Sequence, residues 1–189
     1  MRTIKNLHKA PSSPIGGLVT YNALPAQKLD QVDPFIFLNH HGPQEFPPNN
    51  PGLPFGPHPH KGIETVTLIL DGDLTHRDST GFNSVITAGG VQWMTAGNGI
   101  VHAEESSDKF MEKGGSVEML QLWLNLPARL KSTPPKYKGL ENADIPILSL
   151  QNGQVQVKLI AGNWGDQQGA FETLTPVHLS ALTFEREGQ

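Results

Sequence analysis

His58-Pro59-His60 and His102-Ala103-Glu104 each hold two metal-ligand side chains at positions i and i+2. On an extended strand such positions project from one face, so each pair can aim two donor atoms at a common point. Two neighbouring strands carrying these pairs would assemble three imidazoles and one carboxylate, a set suited to a divalent transition metal. The chain contains no cysteine, which excludes disulfides and thiolate ligands. Imidazole and carboxylate donors are compatible with iron, nickel, manganese, copper or zinc.

Positions 58, 60, 62, 64, 66, 68 and 70 read His, His, Gly, Glu, Val, Leu and Leu. If one alternation runs through them, the histidines and Glu64 share a face with Val66, Leu68 and Leu70, and all look toward a core. Pro59 removes a backbone donor between the histidines, which suits the start or the edge of a strand. The ligands are therefore expected near a barrel mouth.

The remaining candidates read more plainly. His40 and His41 are adjacent, so at most one points inward, and loop surface is the expected setting for both. His76, in Thr75-His76-Arg77-Asp78-Ser79, is expected to make a structural hydrogen bond to a neighbouring turn, and Trp93, Met94 and Trp123 to pack in the core. Gly97-Asn98-Gly99 reads as a turn that sets up His102, since it lacks the lysine and helix of a phosphate loop.

The elements that must position these residues are short strands. The chain has 189 residues, 37% hydrophobic and 17% charged, with 20 glycines and 16 prolines, which fits one compact β-rich unit with many turns. Strands are expected at 15–24, 33–39, 63–70, 72–78, 83–87, 91–95, 100–105, 117–126, 155–161 and 177–185. Residues 42–57 carry six prolines and read as a surface loop without regular ladders. Residues 127–140 read as a turn, one short helix near 128–131 and an extended linker. The class is all-β, a barrel or sandwich. A net charge of −4 with scattered Lys and Arg gives no nucleic-acid footprint. Neither a signal-type apolar core nor a run of transmembrane length is present, and we read a cytoplasmic chain with no membrane partner.

The wording around the ligands resembles the pirin family of the cupin superfamily. Gly52, His58, His60, Glu64 and Gly72 follow the first cupin motif with one extra residue before the last glycine. Gly90, Gly99 and His102 follow the second loosely, with Ala96 and Gly97 where a proline is usual. Pro57 to Val66, Gln92 to Gly97, Gly99 to Glu104, Asp33-Pro34-Phe35 and Gln121 to Pro127 all resemble pirin sequences, so the likeness runs from about residue 15 to 165. It implies a jelly-roll-like cupin β-barrel, one of the two cupin domains of a pirin bicupin. Residues 1–14 would be a loose leader, 15–165 the N-terminal cupin domain, and 166–189 a linker and the first strand of a truncated second domain. A naturally single-domain relative is the other reading.

The resemblance also implies His58, His60, His102 and Glu104 as metal ligands, Fe(II) as the usual metal, and Glu64 behind them, orienting a ligating imidazole. It implies a quercetin 2,3-dioxygenase-type reaction in which a flavonol and dioxygen react with release of carbon monoxide, Glu104 serving as catalytic base. The alternative it implies is a non-catalytic, metal-dependent regulator acting through protein partners, of the transcriptional co-regulator type. Self-association is expected from the alternately apolar strand at 177–185.

Overall fold

The computed structural model describes residues 3–185. Glycine and proline cut the chain into short extended pieces: β1 (Thr20–Leu24), β2 (Phe35–Phe46), β3 (Phe55–His60), β4 (Ile63–Asp71), β5 (Asp73–Asp78), β6 (Asn83–Thr87), β7 (Val91–Thr95), β8 (Ile100–Glu105), β9 (Gly115–Asn125), β10 (Lys136–Leu140), β11 (Ile147–Leu150), β12 (Val155–Ala161), β13 (Asn163–Trp164), β14 (Gln167–Gln168) and β15 (Leu179–Phe184). A single α-helix among the described residues, α1 (Asp108–Lys113), precedes β9.

A six-stranded sheet ordered β1-β2-β9-β4-β7-β10 packs against a four-stranded sheet ordered β3-β8-β5-β6. Between them lie Ile69, Val117 and Met119 from the first and Leu74 and Ile86 from the second, with Leu18, Leu53 and Phe110. This is the cupin barrel. A third sheet, β11-β12-β15, covers the other side of the six-stranded sheet. There Val66, Leu68, Val91, Trp93 and Leu124 meet Ile160, Ala161 and Phe171, with Leu179 packed alongside. The six-stranded sheet is thus buried on both faces, and strand alternation sends Thr65, Thr67 and Ile69 into the barrel and Glu64, Val66 and Leu68 away from it.

The segment 42–57 departs from the expected loop. β2 continues through Pro43 because the register shifts between His41 and Gln44, a bulge in which the missing proline donor is not needed. Gly42 makes that bulge with φ 81°, and a Cβ there would lie 2.2 Å from the Val117 carbonyl oxygen. At the other end Pro57 and Pro59 are accommodated because β3 is an edge strand. α1 stands where no element is expected, its six residues being too few to show a period. It is marked by its cap, where Ser107 Oγ accepts from the Phe110 amide at 3.1 Å. β10 arises where a linker is expected, pairing with β7 so that Tyr137 stands opposite Met94. The expected helix near 128–131 is a 3-10 turn at Ala128–Leu130.

Within the segment 166–189, β15 pairs with β12, Leu182 opposite Val157. No helix among the described residues is long and apolar enough to cross a membrane.

Candidate metal centre

β3 and β8 pair antiparallel with His58 directly opposite His102. His60 follows two residues on, so the three rings crowd one spot, with centroid separations of 4.5 Å for His58–His102, 4.9 Å for His58–His60 and 5.0 Å for His60–His102. One donor atom from each lies within 4.8 Å of the others. His58 Nδ1 donates to the Gly56 carbonyl at 2.7 Å, which fixes the tautomer and leaves Nε2 as a lone-pair donor. That Nε2 is 3.1 Å from His60 Nε2. His102 is buried, and neither of its ring nitrogens has a hydrogen-bond partner.

Burial, and then the neighbouring His58, lower the His60 pKa to about 4. Burial followed by His58, His60 and His76 lowers His102 to about 3. Both rings are neutral at pH 7, so their lone pairs are free to ligate. The outer side of the β3–β8 pair, away from the histidine rings, carries two surface depressions, about 430 Å³ against Pro59 and Val101 and about 290 Å³ against Pro57, Val101 and Ala103. Inside the barrel His60 meets the edge of Trp123 at 4.9 Å, and Trp123 stacks on Phe37 at 4.2 Å.

Glu104 sits two residues beyond His102 on the same inward side of β8, opposite Phe55 on β3 and His76 on β5. It is 1% exposed and is not among the donors that converge within 4.8 Å, which, among the described residues, are the three histidines alone. Its Oε1 accepts from Thr67 Oγ1 at 3.0 Å and from Gln92 Nε2, and its Oε2 accepts from Gln121 Nε2 at 2.5 Å. Burial raises its pKa, opposed first by the Thr67 hydrogen bond and then by His58 and the two amides. These donors were legible in principle: Thr67, Gln92 and Gln121 interrupt runs that are otherwise apolar, at positions facing the barrel.

Glu64 is elsewhere. The chain leaves the four-stranded sheet after His60, turns at Gly62 with φ 73°, and enters the six-stranded sheet as β4. The alternation assumed from 58 to 70 is broken by that turn. Glu64 faces the outer side with Val66 and Leu68, where its Oε1 accepts from Thr95 Oγ1 at 2.7 Å. It therefore orients no histidine of the cluster. Leu70, expected to face a core, is exposed.

His40 and His41 lie on β2 rather than in a loop. One points in, as their adjacency requires: His41 is fully buried, its Nδ1 2.9 Å from Thr20 Oγ1, whereas His40 Nε2 pairs with Glu118 Oε1 at 2.8 Å. His76 Nε2 bonds Asp78 Oδ2 at 2.9 Å, and Asp78 Oδ1 accepts from the Thr80 amide of the following turn, the structural role expected. His76 also stacks on Tyr137 at 3.8 Å. Trp93 and Met94 are buried, on the outer and barrel sides respectively.

The Pirin family profile matches residues 17–124. A Pseudomonas aeruginosa protein described as a candidate quercetin 2,3-dioxygenase is 43% identical over 164 residues, covering 87% of this chain and 56% of that protein. Pirin-like protein 2 of Arabidopsis thaliana is 39% identical over 173 residues, 92% of this chain and 50% of the relative. The crystal structure of a quercetin 2,3-dioxygenase from Acinetobacter baumannii superposes with a TM-score of 0.81 at 40% identity, over 91% of this chain and 62% of that one. The chain spans about half the length of the curated relatives it matches. With a cupin barrel, three convergent histidines and a profile match across more than half its length, the chain belongs to the pirin family of the cupin superfamily.

Proposed function

We propose that this chain carries the metal-holding cupin of a quercetin 2,3-dioxygenase-type oxygenase acting on a flavonol or similar small aromatic molecule. The observation that carries the reading is the convergence of His58, His60 and His102, whose donor atoms lie within 4.8 Å of one another. The residues fit a divalent transition metal: His102 is buried with two unpartnered nitrogens, and His58 already has its tautomer fixed for ligation through Nε2. Glu104 would complete the set as fourth ligand. Fe(II) is the metal we assign first, with nickel, manganese, copper and zinc compatible with the same donors.

A bound metal would supply Lewis-acid and redox capacity for the reaction of flavonol with dioxygen. The chain's own residues do the rest. Thr67, Gln92 and Gln121 occupy three of the four lone-pair sites of the Glu104 carboxylate; the one left on Oε2 would serve the metal, and would take the proton of the flavonol 3-hydroxyl on release from it. Trp123 and Phe37 offer a stacked aromatic wall beside His60, against which a planar ring can lie.

The test is anaerobic loading with Fe(II), followed by air and quercetin, reading metal per chain, loss of flavonol absorbance and carbon monoxide released. Wild type is expected to hold one metal per chain and consume flavonol. His102→Ala is expected to hold none while keeping its β-sheet circular dichroism. A full metal complement in His102→Ala would overturn the site, and metal-loaded wild type inert toward flavonol would overturn the oxygenase reading in favour of the regulatory one.

A further inference from the structure

Glu104 is held by three donors, and one of them is itself held. Gln92 Nε2 donates to Glu104 Oε1, while Gln92 Oε1 accepts from Tyr137 Oη at 3.3 Å. Tyr137 Oη is in turn 2.7 Å from Ser84 Oγ. Burial pushes the Tyr137 hydroxyl up to about 12, with Glu104 also raising it, so it stays protonated. Since its single proton goes to Gln92, the bond from Ser84 must run toward tyrosine. The chain Ser84→Tyr137→Gln92→Glu104 then has every donor pointing at the carboxylate.

The surrounding packing reserves this arrangement. Tyr137 is clamped by stacking on His76, at 3.8 Å and 11°. Gly139 stands opposite Gln92 on β10, and a Cβ there would come within 2.8 Å of Tyr137 Oη. The chain crosses the seam where β6 of the four-stranded sheet meets β10 of the six-stranded one, so a bond that closes the barrel also reaches the candidate ligand.

We propose that Tyr137 is a positioning residue for the metal centre, acting through Gln92: its hydroxyl fixes the Gln92 amide so that Nε2 rather than Oε1 faces Glu104. An amide is nearly symmetric in shape, and nothing but hydrogen bonding decides which end faces the carboxylate. With the tyrosine hydroxyl gone, Gln92 Oε1 loses its partner and the amide is held from its Nε2 end alone, by Glu104 and by Thr67 Oγ1 at 3.4 Å, so it can tilt and no longer fixes the carboxylate in the position shared with Thr67 and Gln121. The inference rests on Glu104 being a ligand, as proposed above.

The experiment is a double-mutant cycle read by metal affinity, with Co(II) as probe, in chelator competition and by its visible absorption, whose band positions and intensities report coordination number. Tyr137→Phe keeps the ring on His76 and removes one oxygen. It is expected to weaken Co(II) binding about 10-fold or more, the range for partners that orient a ligand, and to change the visible bands. Gln92→Leu should weaken binding by a similar factor, and the double variant by no more than Gln92→Leu alone, because tyrosine acts only through the amide. Additive losses, or a Tyr137→Phe protein with wild-type affinity and spectrum, would overturn the proposal. Glu104→Ala separates the two readings. If it leaves affinity and spectrum untouched, ligation by Glu104 is wrong; if it alters both while Tyr137→Phe does not, only the relay is wrong.

Discussion

The two faces of the six-stranded sheet each bury one glutamate, and they treat it differently. On the barrel side Glu104, reaching across from β8, is met by Thr67, Gln92 and Gln121 from three adjacent strands. On the outer side Glu64 has Thr95 for its Oε1 and no hydrogen-bond partner for its Oε2, amid Val66, Leu68 and Trp93. Burial raises both carboxyl pKa values, opposed at Glu104 by Thr67, His58 and the two amides and at Glu64 by Thr95 and the Trp93 side chain. A buried carboxylate ringed by donors can serve a cation, whereas one left half-paired costs stability in proportion to its charge. The faces of one sheet thus differ, the inner surrounding its carboxylate with polar donors and the outer packing its own among apolar side chains.

The sharpest way to break this comparison is to make the same change on both faces. Glu104→Gln puts an amide into a nest of donors and removes the negative charge, and metal affinity is expected to fall by more than about 100-fold, beyond the range for orienting partners. Glu64→Gln is expected to leave metal affinity unchanged, as measured by chelator competition on both proteins. Equal losses would mean that the two faces are coupled.

Stability should move in the opposite sense. A carboxyl raised in the folded state contributes stability that is complete below its unfolded value, near 4.5, and lost as the pH climbs through the folded value. Metal-free Glu64→Gln should therefore be more stable than wild type at pH 8, and the advantage should vanish by pH 4. Urea denaturation at the two pH values reads this directly.

A separate effect belongs to His41, on the inner side of β2. Burial, then the adjacent His40, lowers its pKa from 6.5 to about 4. A histidine with a depressed folded value contributes stability above its unfolded pKa, and that contribution drains away as the pH falls from 6.5 toward 4. The full effect is on the order of 3 kcal/mol. His41→Phe should flatten part of the acid limb of metal-free unfolding, because Thr20 Oγ1 keeps its bond to the Leu18 carbonyl. An unchanged slope between pH 6.5 and 4 would show that burial does not depress the His41 pKa in the folded chain.

How much of this was legible in the sequence follows from the range over which each signal acts. The i, i+2 pairs needed only the local geometry of one strand, and His58, His60 and His102 come together as expected. Glu64 failed because alternation does not survive a change of sheet, and Gly62 makes that change between His60 and β4. Tyr137 was hidden by Pro134 and Pro135, which read as a linker although pairing with β7 draws the next five residues into a strand. The prolines of 42–57 misled in the same way, since a bulge and an edge position remove the need for the donors they lack. Thr67, Gln92 and Gln121 are polar residues in apolar strands, a pattern whose meaning appears only once the opposite sheet supplies the carboxylate.

The smallest expected effect tests whether the outer face is finished by the third sheet. β15 turns Leu179, Ala181 and Thr183 toward the six-stranded sheet: Leu179 packs with the outer core, and Ala181 and Thr183 line a groove with Leu68 and Val91. Its other side carries Leu182 and Phe184, 44% and 55% exposed. Exposed apolar side chains lose little when replaced, so Leu182→Thr and Phe184→Thr should each shift unfolding free energy by no more than about 0.5 kcal/mol. Leu179→Ala empties part of a packed layer and should cost about 2 kcal/mol or more. Chemical denaturation of the three variants decides it. If Phe184→Thr proves as costly as Leu179→Ala, the exposed side of β15 is covered in solution, and the third sheet is itself an interior layer.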